Sequence, residues 1–125
     1  MLCKSLKIID RVEFIGWKDS MGVRRLYRSS SLTVVTGIYE PYAYGVLDPL
    51  ALGCPVLVSG YSGLTDYLLN VERQSFTNVK TLSDGIRATL NASADDTFNM
   101  RVESMQHINS AFSIDSIVKQ LEVLL

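Results

Sequence analysis

Short unbroken apolar runs alternate along the chain with longer segments in which apolar residues recur every third or fourth position. Three runs stand out: Val12-Glu-Phe-Ile-Gly16, Leu32-Thr-Val-Val-Thr36 and Pro55-Val-Leu-Val-Ser59. Runs of this length, rich in β-branched residues and bounded by Gly, Ser or Pro, read as strands. Apolar residues without polar alternation suit strands buried on both faces, as in a parallel sheet. Ser75-Phe76-Thr77 predicts a short fourth strand. Between the runs, Asp19 or Ser20 caps a helix reaching Arg28, where Met21, Val23, Leu26 and Tyr27 form no clean stripe. A second helix is expected from Gly45 to Leu52, stopped by Gly53. Pro49 is expected in its first turn, because deeper in a helix it would remove a backbone hydrogen bond. Asp48 then falls near the helix N-terminus, where the helix dipole favours a carboxylate. Gly60 to Gly63 reads as a turn and Leu64 to Leu69 as a short helix. Leu82, Ile86 and Leu90 recur every four residues and predict a helix over 81–91. After a turn with capping residues at 92–96, helices follow over 97–112 and 114–125. This order of strands and helices predicts an α/β, Rossmann-like, three-layer domain with a small, mostly parallel sheet of three to four strands, right-handed crossovers and C-terminal helices.

A chain of 125 residues suits a single domain spanning 1–125, and a hydrophobic share of 47% is enough for a packed core and argues against disorder. The net charge of −1 argues against a nucleic-acid or membrane-surface partner. Charge is uneven: residues 1–30 carry a net +4, including Arg24, Arg25 and Arg28, and the remainder −5. That basic third is either a solvated face or a surface turned toward phosphate. Cys3 and Cys54 do not form a disulfide framework; Cys54, between Gly53 and Pro55, is expected to be a buried, inert thiol. No metal-ligand spacing occurs. The N-terminus has no apolar signal core, and no run is long enough to span a bilayer, so a cytoplasmic location is expected. His107, the single histidine, has no Ser or Asp arrangement around it that implies catalysis.

The segment with candidate chemistry is Glu40 to Val56, EPYAYGVLDPLALGCPV. It joins the carboxyl end of one strand to the N-terminus of a helix, the place where open parallel sheets bind ligands. Amides of a first helical turn favour an anion, and Gly45 lets the backbone come close to one. Glu40 and Asp48 flank that position. Carboxylates repel phosphate and suit hydroxyl groups, so a ligand with a central diphosphate and a polyol at each end meets the demand. On the residues alone, Asp48 is equally readable as a helix cap and Glu40 as a solvated side chain.

Several stretches in order resemble retaining glycosyltransferases of the two-Rossmann-domain (GT-B) type, the group 1 or family 4 enzymes with a Glu-x7-Glu motif. "VEFIGW" is similar to their V-x-F-x-G strand and "RRLYRSSSLTVV" to their L-Y-x-x-A-D-V-x-V step. Glu40-Pro41-Tyr42 resembles E-P-F, "LALGCPVLVS" resembles A-x-G-x-P-V-V-A-S, and Ser62-Gly63-Leu64-Thr65-Asp66 resembles G-G-x-x-E. The resemblance covers residues 12–69 well and the later helices loosely. It implies a nucleotide-sugar donor as substrate, with no metal and no other cofactor. It places donor-sugar contacts at Glu40, Tyr42, Ala43 and Tyr44, diphosphate contacts at Tyr44 and Gly45, ribose hydroxyls on Asp48, and the base near Gly16 and Trp17. On the residues alone, Trp17 also reads as a core or rim aromatic. Ala43 stands where the family loop has Gly, Asp48 where it has Glu, and Pro49 where it has Ala.

The family's Arg and Lys, which neutralise the departing diphosphate, have no counterpart around Lys4, Lys7 or Arg11. The resemblance therefore implies a truncated domain, lacking two strands and the acceptor half. No activity is assigned to the isolated chain. A partner chain or self-association is expected at the strand edge left open. The alternatives are a non-catalytic interaction module or subunit of a larger glycosyltransferase, and a nucleotide-binding α/β domain of other chemistry.

Overall fold

The computed structural model describes residues 2–37, 44–61, 63, 65, 68–70 and 74–124, without the side chains of 120, 121, 123 and 124. Three strands, β1 (Thr33–Val35), β2 (Val56–Ser59) and β3 (Ser75–Phe76), form one parallel sheet in the order β1-β2-β3. Thr33 pairs with Val56 and Val35 with Val58, while Val58 pairs with Ser75 and Ser59 with Phe76. Around the sheet stand α1 (Leu2–Ser5), α2 (Ser20–Ser29), α3 (Tyr44–Ala51), α4 (Val79–Leu90), α5 (Ala94–Ala111) and α6 (Ile114–Leu124). The Rossmann-like α/β class and the parallel sheet expected from the sequence are present.

The unbroken apolar run 56–58 takes the central position, and every residue of β2 is buried. Its side chains alternate between two layers. Val56 and Val58 join Val46 and Leu50 of α3, Ile108 of α5 and Leu68 in the main core. Leu57 points to the opposite face, where α4 presents Gly85. A β-carbon on Gly85 would stand 3.1 Å from a Leu57 methyl, so the missing side chain lets the helix lie directly on the strand. Burial of Leu50 and Leu57 stabilises the fold by roughly 1.5–3 kcal/mol each.

Helix boundaries follow from local hydrogen bonds. The Asp19 side chain accepts from Gly22 N at 2.7 Å and opens α2, as expected. The α4 helix starts at Val79 rather than Thr81, because Asn78 caps it. Thr81 N donates to Asn78 Oδ1 at 2.9 Å, and Asn78 N donates to Thr81 Oγ1 at 3.1 Å. Likewise α5 begins at Ala94, behind a Ser93 hydroxyl that accepts from Asp96 N. The α3 helix ends as expected at Gly53, in a left-handed turn with φ 74°. Cys54 N donates to Pro49 O at 2.8 Å and Gly53 N to Leu50 O at 3.0 Å, the two bonds of a Schellman cap.

One strand expected from the sequence is not formed. Residues 12–19 run as irregular backbone, and Phe14 is 70% exposed. The run is as apolar as the others, but a strand needs a bonded neighbour. Among the described residues, β1 has β2 on one side and no strand on the other. The expected helix over 64–69 falls largely outside the described residues. Leu68 is buried, and its N–H donates to Thr65 O at 3.1 Å.

Candidate functional site

The expected binding loop leaves the carboxyl end of β1 through Thr36 and Gly37. Glu40, Tyr42 and Ala43 lie outside the described residues. Tyr44 opens the described part of α3 and is exposed. At Gly45 an added β-carbon would meet nothing within 4 Å, so the backbone there borders open space. The next turns carry Val46, Pro49 and Leu50 into the core. Burying that stripe leaves Tyr44 and Asp48, four residues apart and both exposed, on one outward face of the helix.

Two expectations for this helix need correction. Pro49 is not in the first turn but sixth in α3, fully buried in the interior. With no N–H at residue 49, the Gly45 carbonyl lacks its regular helical donor. The helix tolerates the loss because α3 is short and its end is held by the Schellman bonds to Pro49 O and Leu50 O. Asp48 consequently sits in the second described turn rather than at the N-terminus. Its carboxylate lies toward α2, where it acts on the Tyr27 phenol. Burial raises the pKa of Tyr27 above the ordinary tyrosine value, and the charges of Asp48 and Cys54 push in the same direction.

Cys54 is buried and free, as expected. Its sulfur lies 3.2 Å from Thr33 Oγ1 and 3.7 Å from Ser30 O, so it ties the end of α2 to β1 and the start of β2. That junction fixes α3 against the sheet and thereby the position of Tyr44 and Asp48.

Gly16 takes a left-handed conformation with φ 62° and Trp17 is 87% exposed, which excludes a core position for the indole. No hydrogen bond or ring contact joins Trp17 to α3 among the described residues. The structure therefore groups Tyr44, Gly45 and Asp48 and leaves Gly16 and Trp17 on a separate segment. Arg24, Arg25 and Arg28 are exposed on α2. His107 packs edge-on against Phe112, with ring centroids 6.1 Å apart. Among the described residues no group of three His, Cys, Asp or Glu side chains is placed to hold a metal, and no helix is long and apolar enough to cross a membrane.

A cavity of about 860 Å³ lies elsewhere, between α4 and α5 at the amino-terminal ends of β2 and β3. Among the described residues, none from 44 to 48 lines it. Nothing in the hydrophobic periodicity of either helix flagged it, but the facing stripes of small and polar residues carried the signal.

Residues 1–104 match the family model for glycosyl transferases group 1. An uncharacterized glycosyltransferase from Methanocaldococcus jannaschii is 33% identical over 67 residues, covering 54% of this chain and 17% of that protein. The mannosylfructose-phosphate synthase of Agrobacterium fabrum is 33% identical over 61 residues, covering 49% of this chain and 13% of that protein. The matched region thus spans less than a fifth of either relative. No solved structure matches the chain.

Proposed function

The chain belongs to the glycosyl transferases group 1 family, and on that premise we propose that it forms the donor-binding part of a retaining, two-Rossmann-domain glycosyltransferase. The donor is a nucleoside-diphosphate sugar, and the acceptor is a hydroxyl group. Glu40 holds hydroxyls of the donor sugar. The backbone at Tyr42, Ala43, Tyr44 and Gly45 meets the sugar and diphosphate. Asp48 binds the ribose, and Gly16 and Trp17 border the base. The observation that carries this reading is the start of α3. It lies beyond the carboxyl end of a parallel strand, its Gly45 backbone borders open space, and Asp48 shares the outward face of Tyr44.

No metal is required in this reading, since protein groups hold the diphosphate. Stabilising the charge of the leaving group is usually the largest catalytic contribution. The family's Arg and Lys find no motif match in residues 1–125, so we place them, with the acceptor-binding half, on further polypeptide. The outer edge of β1 is where that polypeptide docks. Thr33 N donates to Pro55 O at 2.8 Å, so in a parallel ladder the N–H and C=O of Val34 point away from β2. The Val34 side chain is 37% exposed, on the face that α4 covers further along the sheet. An open edge of this kind accepts another strand.

The test is titration with uridine, guanosine and adenosine diphosphate sugars, followed by fluorescence of Trp17, the single tryptophan. A saturable response to one of them, lost in Glu40→Ala, is expected. A flat response to all three overturns the donor reading and leaves the edge of β1 as support for a non-catalytic interaction module.

A further inference from the structure

The donor site makes no use of the outward face of α2. Val23, Tyr27 and Ser30, spaced i, i+4, i+7, turn toward the body of the domain. All three are half-buried, Tyr27 lies near Asp48 and Cys54, and the Ser30 carbonyl accepts from Cys54 Sγ at 3.7 Å. The opposite side carries Met21, Arg24, Arg25 and Arg28, spaced i, i+3, i+4, i+7. At 3.6 residues per turn these four fall within an arc of about 100° and along about 10 Å of helix. All four are exposed, Met21 to 61%. The apolar residues of α2 form no single stripe for this reason: Met21 stands among the arginines, away from the core.

Charge on that face is of one sign. The helix itself holds three arginines and no carboxylate. Asp19, just before it, is engaged by the Gly22 N–H at 2.7 Å. The segment leading into the helix adds Lys18 and presents Phe14 at 70% exposure and Ile15 at 40%. Residues 1–30 carry a net +4 and the remainder −5, so the net charge of −1 is an average over a polarised chain. The bulk value, which alone argues against an anionic surface as partner, conceals a basic face.

These features select a partner. A helix face is convex, so it meets an extended surface rather than enclosing a small anion. Guanidinium groups pair with phosphate oxygens, and their methylene stems lie along apolar surface while the charge stays in water. Met21, Phe14 and Ile15 add exposed apolar side chains beside those cations. The boundary between lipid headgroups and acyl chains matches both kinds of group at once. The backbone of a nucleic-acid duplex offers phosphate without an apolar layer. We propose that the outward face of α2, together with Phe14 and Ile15, docks onto an anionic lipid bilayer, independently of donor binding at α3.

The test is co-sedimentation of the full chain with vesicles of mixed phosphatidylglycerol and phosphatidylcholine, against vesicles of phosphatidylcholine alone, with anisotropy titration of a labelled DNA duplex alongside. Saturable partition onto the anionic vesicles is expected, falling as salt rises, with none onto the neutral ones. Arg25→Gln is expected to weaken it about fivefold, the ~1 kcal/mol that one basic side chain near an anionic surface contributes. Lys119→Gln removes the same charge from α6 and is expected to leave partition unchanged. Both positions are exposed, so both variants are expected to keep the parent's thermal midpoint. Equal losses in the two variants, equal partition onto neutral vesicles, no partition onto either, or binding to the duplex alone overturns the proposal.

Discussion

Gly53 approaches Met105 so closely that a β-carbon on Gly53 would stand 2.9 Å from the Met105 sulfur. The same residue holds the left-handed turn that ends α3 and directs the chain into β2. Two independent demands therefore fall on one missing side chain. Gly53→Ala is expected to lose about 1–2 kcal/mol to the left-handed backbone, and more to the displaced Met105. Urea unfolding is expected to show a lower midpoint with an unchanged slope. Adding Met105→Ala restores only the part due to crowding, and full recovery would show that the backbone turn contributes nothing.

Tyr27 links α2 to the candidate site through its position near Asp48. Its pKa is raised by burial first and by Asp48 and Cys54 next. A raised folded-state pKa means that the folded chain holds this proton above pH 10, where the unfolded chain has begun to release it. The contribution of Tyr27 is thus fully present below pH 10 and is lost as pH rises through the folded-state value. Tyr27→Phe is expected to flatten the alkaline side of the stability profile. Asp48→Asn is expected to move tyrosinate absorbance at Tyr27 to lower pH. An unchanged titration in Asp48→Asn would separate the two side chains.

Asn78 and Thr81 satisfy each other's backbone N–H groups at the start of α4. Asn78→Ala removes the side-chain acceptor from Thr81 N, and a loss of about 1 kcal/mol is expected. Asn78→Asp keeps the acceptor and is expected to stay near the parent stability. Thermal unfolding of the two variants side by side checks both statements.

The open edge of β1 has a consequence for the purified chain. Self-association that grows with concentration is expected in sedimentation velocity. Val34→Lys places a charge on the outward strand and is expected to suppress it. A stable monomer at every concentration in the parent chain would remove the argument that this edge needs a neighbour.

What the sequence discloses about this fold depends on whether a signal is local. The run Pro55 to Ser59 reads as a doubly buried strand because its residues carry the whole argument, and β2 is that strand. Gly53 reads as a helix stop for the same reason. Asp19 caps α2 with its own carboxylate. The structure departs from the local signal where the deciding partner is distant in sequence. Val12 to Gly16 has the composition of a strand, but pairing depends on a neighbour that the described residues do not include. Pro49 breaks a rule of helix interiors, and the compensation comes from the cap at Gly53 and from burial against the core. Asn78, three residues before Thr81, caps α4 and moves its start to Val79. Of the candidate site, Tyr44, Gly45 and Asp48 are placed on one helix, whereas Glu40, Tyr42 and Ala43 fall outside the described residues.

In the proposed function, the start of α3 binds a nucleoside-diphosphate sugar through its backbone and through Asp48. Amide chemical-shift mapping during titration with the nucleotide sugar that gives the strongest Trp17 response is the most direct measurement. Tyr44, Gly45 and Asp48 are expected to shift together along one saturation curve, which Asp48→Asn is expected to weaken. Shifts that leave these three residues unmoved, or an affinity indifferent to Asp48→Asn, would contradict it.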